Sequence, residues 1–241
     1  MAVTATCLLL VRHGETRLNR EHVYFGKTDA PLTAEGRHQA ECVAERIMEF
    51  TDAAEPMENQ KGRLFRGSPA DRIISSPLGR AMETARILQQ ALWPGWPEAA
   101  SGMADHPVGA GEAPPPEIQQ EKDLEEIYFG AWEGLSAAAA KQGWPEEWSQ
   151  WGRDWLTTAP PGQGECFNEL YARVTRVYER ILREYAGQKV LVVSHHGPLR
   201  VMLSHALGLG AAGTWHFQFF GDRLTCLEIV DGYPVVKCVN R

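Results

Sequence analysis

The chain has 241 residues, 44% of them hydrophobic, and a formal net charge of −7 at pH 7. That length and apolar content are enough for a sizeable core and exclude a largely disordered chain. The acidic balance argues against a broad nucleic-acid footprint, which is normally basic, and no apolar stretch approaches the roughly 20 residues needed to cross a bilayer; neither a nucleic acid nor a membrane is expected as a partner.

In chain order, the first element is Leu8-Leu9-Leu10-Val11, a continuous aliphatic run that suits a strand covered on both faces, as in a parallel α/β sheet. The run stops at Arg12, His13 and Gly14. Such sheets keep their ligand sites at the carboxyl ends of strands, and Gly14 lets the backbone turn sharply or approach an anion closely. Residues 1–10 do not read as a secretory leader, because the apolar run is short and no positive region precedes it. From Ala34 onward, Ala40, Val43, Ala44, Ile47 and Met48 recur at helix-face spacing, with Thr33 as the N-cap. A second strand is predicted over Arg72–Ser75, just before a helix bearing Arg80.

Thr51–Pro69, polar and charged, and Pro94–Pro116, dense in Pro, Gly and Ala, read as surface connections or lids. Trp144, Trp148, Trp151 and Trp155 follow at helix-face spacing. They predict a helical cap packed on the core, in preference to an aromatic cage around substrate. Arg153 reads as a solvated helix arginine before a specificity residue. Phe167, Leu170, Val174, Val177 and Ile181 form another helical stripe, leading through Gly187 to the strand Val190–Val193, which ends in Ser194, His195, His196 and Gly197. Finally, Thr225–Val230 and Val235–Val239, separated by Asp231-Gly232-Tyr233-Pro234, predict a terminal hairpin.

Two strands thus end in His and Gly, with an arginine beside one histidine and downstream of the other, which suggests chemistry on an anion. The adjacent His195 and His196 raise the idea of zinc. Neighbouring strand residues point to opposite faces, however, and no Cys/His ligand spacing is present, so no metal is expected. The five cysteines, Cys7, Cys42, Cys166, Cys226 and Cys238, are odd in number and lack a Cys-x-x-Cys pair. They suit free thiols in a reducing compartment, the cytoplasm.

Several blocks, in this order, resemble the histidine phosphatase superfamily, which includes cofactor-dependent phosphoglycerate mutases and many phosphomonoesterases. Arg12-His13-Gly14-Glu15-Thr16 resembles the family's signature, with Asn19 at the expected spacing. Gly26 to Gly36 resembles the segment that follows it, and Ser75 to Ala81 with Thr84 resembles the block of the second phosphate-binding arginine, Arg80. Leu124 to Gly134 is similar to the acid-bearing block, and Ser194-His195 through Arg200 supplies the second histidine. The resemblance implies an α/β fold of three α/β/α layers: a mostly parallel central sheet, a helical cap insertion at about 94–164 and a C-terminal β-hairpin, within a single domain 1–241.

The resemblance also implies roles. His13 attacks phosphorus through a neutral ring nitrogen and forms a phosphohistidine. Arg12, Arg80 and His195 supply positive charge, and Asn19 adds a neutral donor. Glu126 is the acid for the leaving oxygen; Glu125 is its near neighbour, and Glu133 is a structural or capping residue. Tyr24, Phe25, Gly26 and Lys27 border the substrate, although Lys27 also reads as ordinary surface charge. Arg200 anchors structure.

His196 departs from the family's commonest pattern, which has a small residue after the second histidine. Phe129 to Gly134 resembles phosphatase members, and the cap lacks the adjacent arginines typical of glycolytic mutases. The expected function is therefore hydrolysis of a small phosphoester, with mutase activity and a catalytically weak phosphate-binding protein as alternatives. Pro160 to Glu165 resembles a segment in phosphatases acting on α-ribazole phosphate. No cofactor is implied, and a homo-oligomer stays open.

Overall fold

A computed structural model of the chain describes residues 5–53, 68–96 and 114–241. Its centre is β1 (Ala5–Arg12), in which Leu8, Leu9, Leu10 and Val11 are wholly buried. Parallel neighbours β4 (Lys189–Ser194) and β2 (Arg72–Ser75) lie to one side, with a short β3 (Ile118–Gln120) beyond. On the other side β5 (Leu224–Val230) and β6 (Tyr233–Cys238) run antiparallel, giving the order β3-β2-β4-β1-β5-β6.

The aliphatic run is continuous because both faces of the sheet are covered. Leu8 and Leu10 point into one core with Val190 and Val192, under α6 (Phe167–Glu184) and α7 (His196–Ala206). Leu9 and Val11 point into the other, with Leu191 and Val193, under α2 (Ala34–Ala53) and α3 (Gly79–Leu92). Each such side chain, fully buried, contributes about 1.5–3 kcal/mol. The three predicted layers are therefore present, as is the predicted helical stripe on α6, whose Phe167, Leu170, Val174, Val177 and Ile181 are all buried. Thr33 Oγ1 accepts the Gly36 N–H at 3.0 Å, as an N-cap does. Met48 leaves the buried face of α2 and is 37% exposed.

Four elements differ from the sequence reading. A one-turn helix, α1 (Arg17–Arg20), follows the signature block and is closed by a capping box between Thr16 and Asn19. The hairpin turn is only Asp231-Gly232, both with φ > 0, so the second strand starts at Tyr233; Pro234 is tolerated because β6 is an edge strand. The tryptophan stripe does not lie on one helix. Here α4 (Ala137–Gly143) ends at Trp144, and α5 (Pro145–Arg153) carries only Trp148 and Trp151. Pro145 breaks the run and restarts it as a first-turn proline. Trp148 and Trp151 pack on Trp132, and Trp148 also on Tyr24, whereas Trp155 packs on Phe167 and Trp215. β3 went unseen because only Ile118 of its three residues is even half-buried. Most of the expected surface stretches Thr51–Pro69 and Pro94–Pro116 lies outside the described residues. Among those residues, no helix is long and apolar enough to cross a membrane.

Candidate active site

Sheet register assembles the site. Arg12 pairs with Ser194 and Ser75 with Val193, so three strands end level. The pairing continues one residue further, His13 N–H to Ser194 O and Ser76 N–H to Val193 O, both 3.0 Å. His13, Ser76 and His195 therefore emerge side by side, and the two imidazole rings stand 5.0 Å apart between centroids. Gly14 is required by the crossing of the next loop over α2: a Cβ there would sit 2.1 Å from the Gly36 carbonyl oxygen.

Hydrogen bonds set the histidine tautomers. His13 Nδ1 lies 2.8 Å from the Gly14 carbonyl, which can only accept, so Nδ1 carries the proton and Nε2 keeps its lone pair. Ser76 Oγ accepts the Leu78 N–H at 3.3 Å and lies 2.7 Å from His195 Nε2. No other acceptor for this hydroxyl proton occurs among the described residues, so the arrangement that leaves the fewest groups unpaired has the hydroxyl donating to Nε2, with Nδ1–H as the donor of His195. That Nδ1, together with Arg12 Nε and Arg80 Nε, is buried and has no hydrogen-bond partner among the described residues. A buried donor without an acceptor costs about 1–3 kcal/mol. Three of them around one neutral imidazole form a receptor for oxygens.

The guanidiniums are fixed by their other nitrogens. Arg80 is wholly buried; its Nη1 donates to Thr28 O and to Asp29 Oδ1, each at 3.0 Å, and its Nη2 to Gly26 O at 2.8 Å. Its plane lies over Phe25, 4.9 Å from the ring centroid. Arg12 Nη1 donates to Phe219 O at 3.0 Å. Burial, then the charges of Arg80 and Arg12, holds the His13 pKa well below the usual histidine value. His195 is lowered in the same way, by burial and then Arg80. Both rings are thus driven towards the neutral form in the free protein, which for His13 is the form a nucleophile needs.

Glu126 borders this ring. Its Oε1 accepts the N–H groups of Ile127 and Gly197, at 3.0 and 3.1 Å, and so sits on the first turn of α7 directly after His195. Burial lowers the pKa of both Arg12 and Arg80, and the charge of Glu126 opposes this in each.

The sequence profile of the histidine phosphatase superfamily, branch 1, matches residues 8–56 and 107–241. The chain belongs to the histidine phosphatase superfamily. An adenosylcobalamin/α-ribazole phosphatase of Salmonella typhimurium is 30% identical over 233 residues, 97% of this chain and 95% of that protein. The crystal structure of the α-ribazole phosphatase from Shigella flexneri superposes with a TM-score of 0.73 at 26% identity, covering 98% of this chain and 96% of that one. A bifunctional protein of Mycobacterium tuberculosis is 33% identical over 239 residues, 99% of this chain but 54% of its own length; the chain spans about half of that relative.

Within this histidine phosphatase fold the remaining predicted residues separate. Phe25 lies edge-on to His13 with centroids 6.4 Å apart, and Gly26 gives Arg80 its carbonyl. Tyr24 belongs instead to the cap's aromatic cluster with Phe129, Trp132 and Trp148. Lys27 is exposed, over the Tyr128 ring. Asn19 commits its Oδ1 to the Thr16 N–H and hydroxyl, which leaves the amide nitrogen as its donor. Glu133 accepts from Gly26, Thr28 and Phe129 N–H groups and pins the loop under Arg80. Arg153 is exposed and bonds its own helix at Ser149. Arg200 anchors the Phe217 carbonyl and Gln218.

His196 turns away from His195: its Nε2 accepts the Phe219 N–H at 3.4 Å, on the residue whose carbonyl holds Arg12. Sequence reasoning missed Ser76, Arg173 and the segment around Phe219, none of which stands beside its partner in the chain.

One consequence concerns acid stability. Burial, then Arg12 and Arg200, lowers His196 to about 3. The unfolded chain takes up a proton here below about pH 6.5 while the folded chain does not, so stability present above pH 6.5 is lost as pH falls towards 3. His196→Gln, which keeps an acceptor for Phe219, is expected to flatten the fall in urea-unfolding stability between pH 6 and 4 by up to about 1.4 kcal/mol per pH unit. Identical slopes would show that His196 titrates normally.

Proposed function

We propose that the chain is a metal-independent phosphomonoesterase that cleaves small phosphorylated metabolites through a phosphohistidine. The observation that carries this is the set of buried donors that are unpaired among the described residues, Arg12 Nε, Arg80 Nε and His195 Nδ1, around a neutral His13 whose Nε2 lone pair has no partner among those residues. Three non-bridging phosphoryl oxygens match those donors in number and sign, and Asn19 supplies a further neutral N–H. Preorganised donors of this kind are worth most where charge develops in the transition state.

In the first step His13 Nε2 forms the bond to phosphorus as the ester P–O bond breaks, and Glu126 gives its proton to the leaving oxygen. In the second, Glu126 takes a proton from water, whose oxygen displaces His13 and yields inorganic phosphate. The arginines stay charged and keep the phosphoryl oxygens in place throughout. Phe25 and Gly26 contact the ester's leaving group, with Tyr24 and Lys27 at the outer edge of the same loop. The relatives named as α-ribazole phosphatases, one of them for the 5′-phosphate, make α-ribazole 5′-phosphate the first natural substrate to try. The free thiols suit the cytoplasm.

The test is a panel of p-nitrophenyl phosphate, α-ribazole 5′-phosphate and ribose 5-phosphate, with and without chelator, beside 3-phosphoglycerate with its bisphosphate. Chelator-resistant phosphate release, with an acid-labile phosphoenzyme on rapid quenching, is expected. Isomerisation without release would make the protein a mutase, and binding without turnover a phosphate receptor.

A further inference from the structure

Arg173 lies on α6, outside the groups that meet the phosphoryl oxygens, yet its whole donor fork is committed. Nε and Nη2 hold the two carboxylate oxygens of Glu165 at 2.6 and 2.8 Å, the paired geometry that only a guanidinium offers. Nη1 donates to the carbonyls of Asp123 and Glu125, both at 2.7 Å, and Nη2 also reaches the carbonyl of Glu126 at 3.2 Å. The ion pair is shielded, its side chains 14% and 17% exposed.

These carbonyls belong to the stretch that presents Glu126. It is neither strand nor α-helix: a 3₁₀ turn ends at Leu124 and irregular backbone follows. Its orientation must therefore come from outside. Glu165 completes the clamp, because its N–H donates to Tyr128 O at 2.8 Å while its Oε2 accepts the Tyr128 N–H at 3.4 Å. At the far end the fit to α7 is close, since a Cβ on Gly197 would lie 2.4 Å from Glu126 Oε1.

We propose that Arg173, held by Glu165, is a positioning residue that aims the Glu126 carboxyl at the leaving-group oxygen. The proposal rests on the assignment of Glu126 as the proton donor. Arg173 itself touches no reacting atom. Proton transfer tolerates little misplacement, and an error of about 1 Å costs on the order of 100-fold. A lysine brings one strongly hydrated point charge to acceptors that the fork serves together, so Arg173→Lys loosens the stretch without removing the charge.

The experiment exploits leaving groups. p-Nitrophenolate departs with little help, whereas a sugar alkoxide needs its proton. We would measure kcat/KM for p-nitrophenyl phosphate and for ribose 5-phosphate in wild type, Arg173→Lys, Glu165→Gln, Glu126→Gln and the Arg173→Lys/Glu126→Gln double variant, with melting temperatures alongside. The alkyl-to-aryl ratio is expected to fall about tenfold or more in Arg173→Lys and Glu165→Gln, as it does further in Glu126→Gln, and the double variant is expected to match Glu126→Gln. Equal loss on both esters, with the ratio still falling in Glu126→Gln, would make Arg173 a purely structural residue and overturn the proposal. An unchanged ratio in Glu126→Gln would remove the proton-donor assignment and the proposal with it. Should Arg173→Lys fail to fold, Glu165→Gln, which keeps the guanidinium on its carbonyls, carries the same comparison.

Discussion

Replacing His13 by alanine is expected to lower kcat by about 10⁵-fold or more, as loss of a catalytic nucleophile does, and to abolish the acid-labile phosphoenzyme. The side chain is buried, and its one hydrogen bond among the described residues is local, to the Gly14 carbonyl. Its removal also takes away a ring that burial and two arginines hold neutral, so the fold loses little that other residues depend on. The donors of Arg12, Arg80 and His195 remain, and the variant should still bind inorganic phosphate or vanadate, as titration calorimetry would show. Residual turnover above one-hundredth of wild type would sink the nucleophile assignment. Loss of anion binding together with turnover would point to collapse of the site instead.

Arg80→Lys should have the second-largest effect, a drop of about 10²–10³-fold in kcat/KM. Arg80 serves two clients at once. Its Nη nitrogens hold Gly26 O, Thr28 O and Asp29, while its buried Nε has no partner among the described residues. A single ammonium cannot reach both sets. The same substitution should lower unfolding stability by about 1–3 kcal/mol, because buried loop carbonyls lose a charged donor. Asp29→Asn separates the two roles. Asp29 also accepts the Gly79 N–H at 2.5 Å at the start of α3, so the amide should weaken the loop and the helix start while costing far less in turnover. If Arg80→Lys keeps kcat/KM within tenfold of wild type, Arg80 belongs to the scaffold alone.

The legible parts of this protein are those in which cause and residue are close in the chain. Leu8–Val11 and Val190–Val193 announce strands covered on both faces, because a two-sided core demands unbroken aliphatic runs, and each run ends in its histidine. The Thr33 cap, the α6 stripe and the hairpin are equally local. The tryptophan stripe misled because spacing alone cannot show that Pro145 restarts the helix. β3 carried no apolar signal, since its place comes from backbone pairing with β2.

The sequence by itself determined the layered α/β fold, the family and the chemical types gathered for the site, since hydrophobic periodicity and short motifs encode these directly. Only the tertiary structure decided the protonation and aim of those groups. Ser76, 119 residues from His195, selects its tautomer; burial and the arginines neutralise both rings; Arg173 and Glu165 orient Glu126 from another helix and loop. Desolvation and long-range hydrogen bonds depend on what the fold brings within about 3 Å, and no local pattern records that.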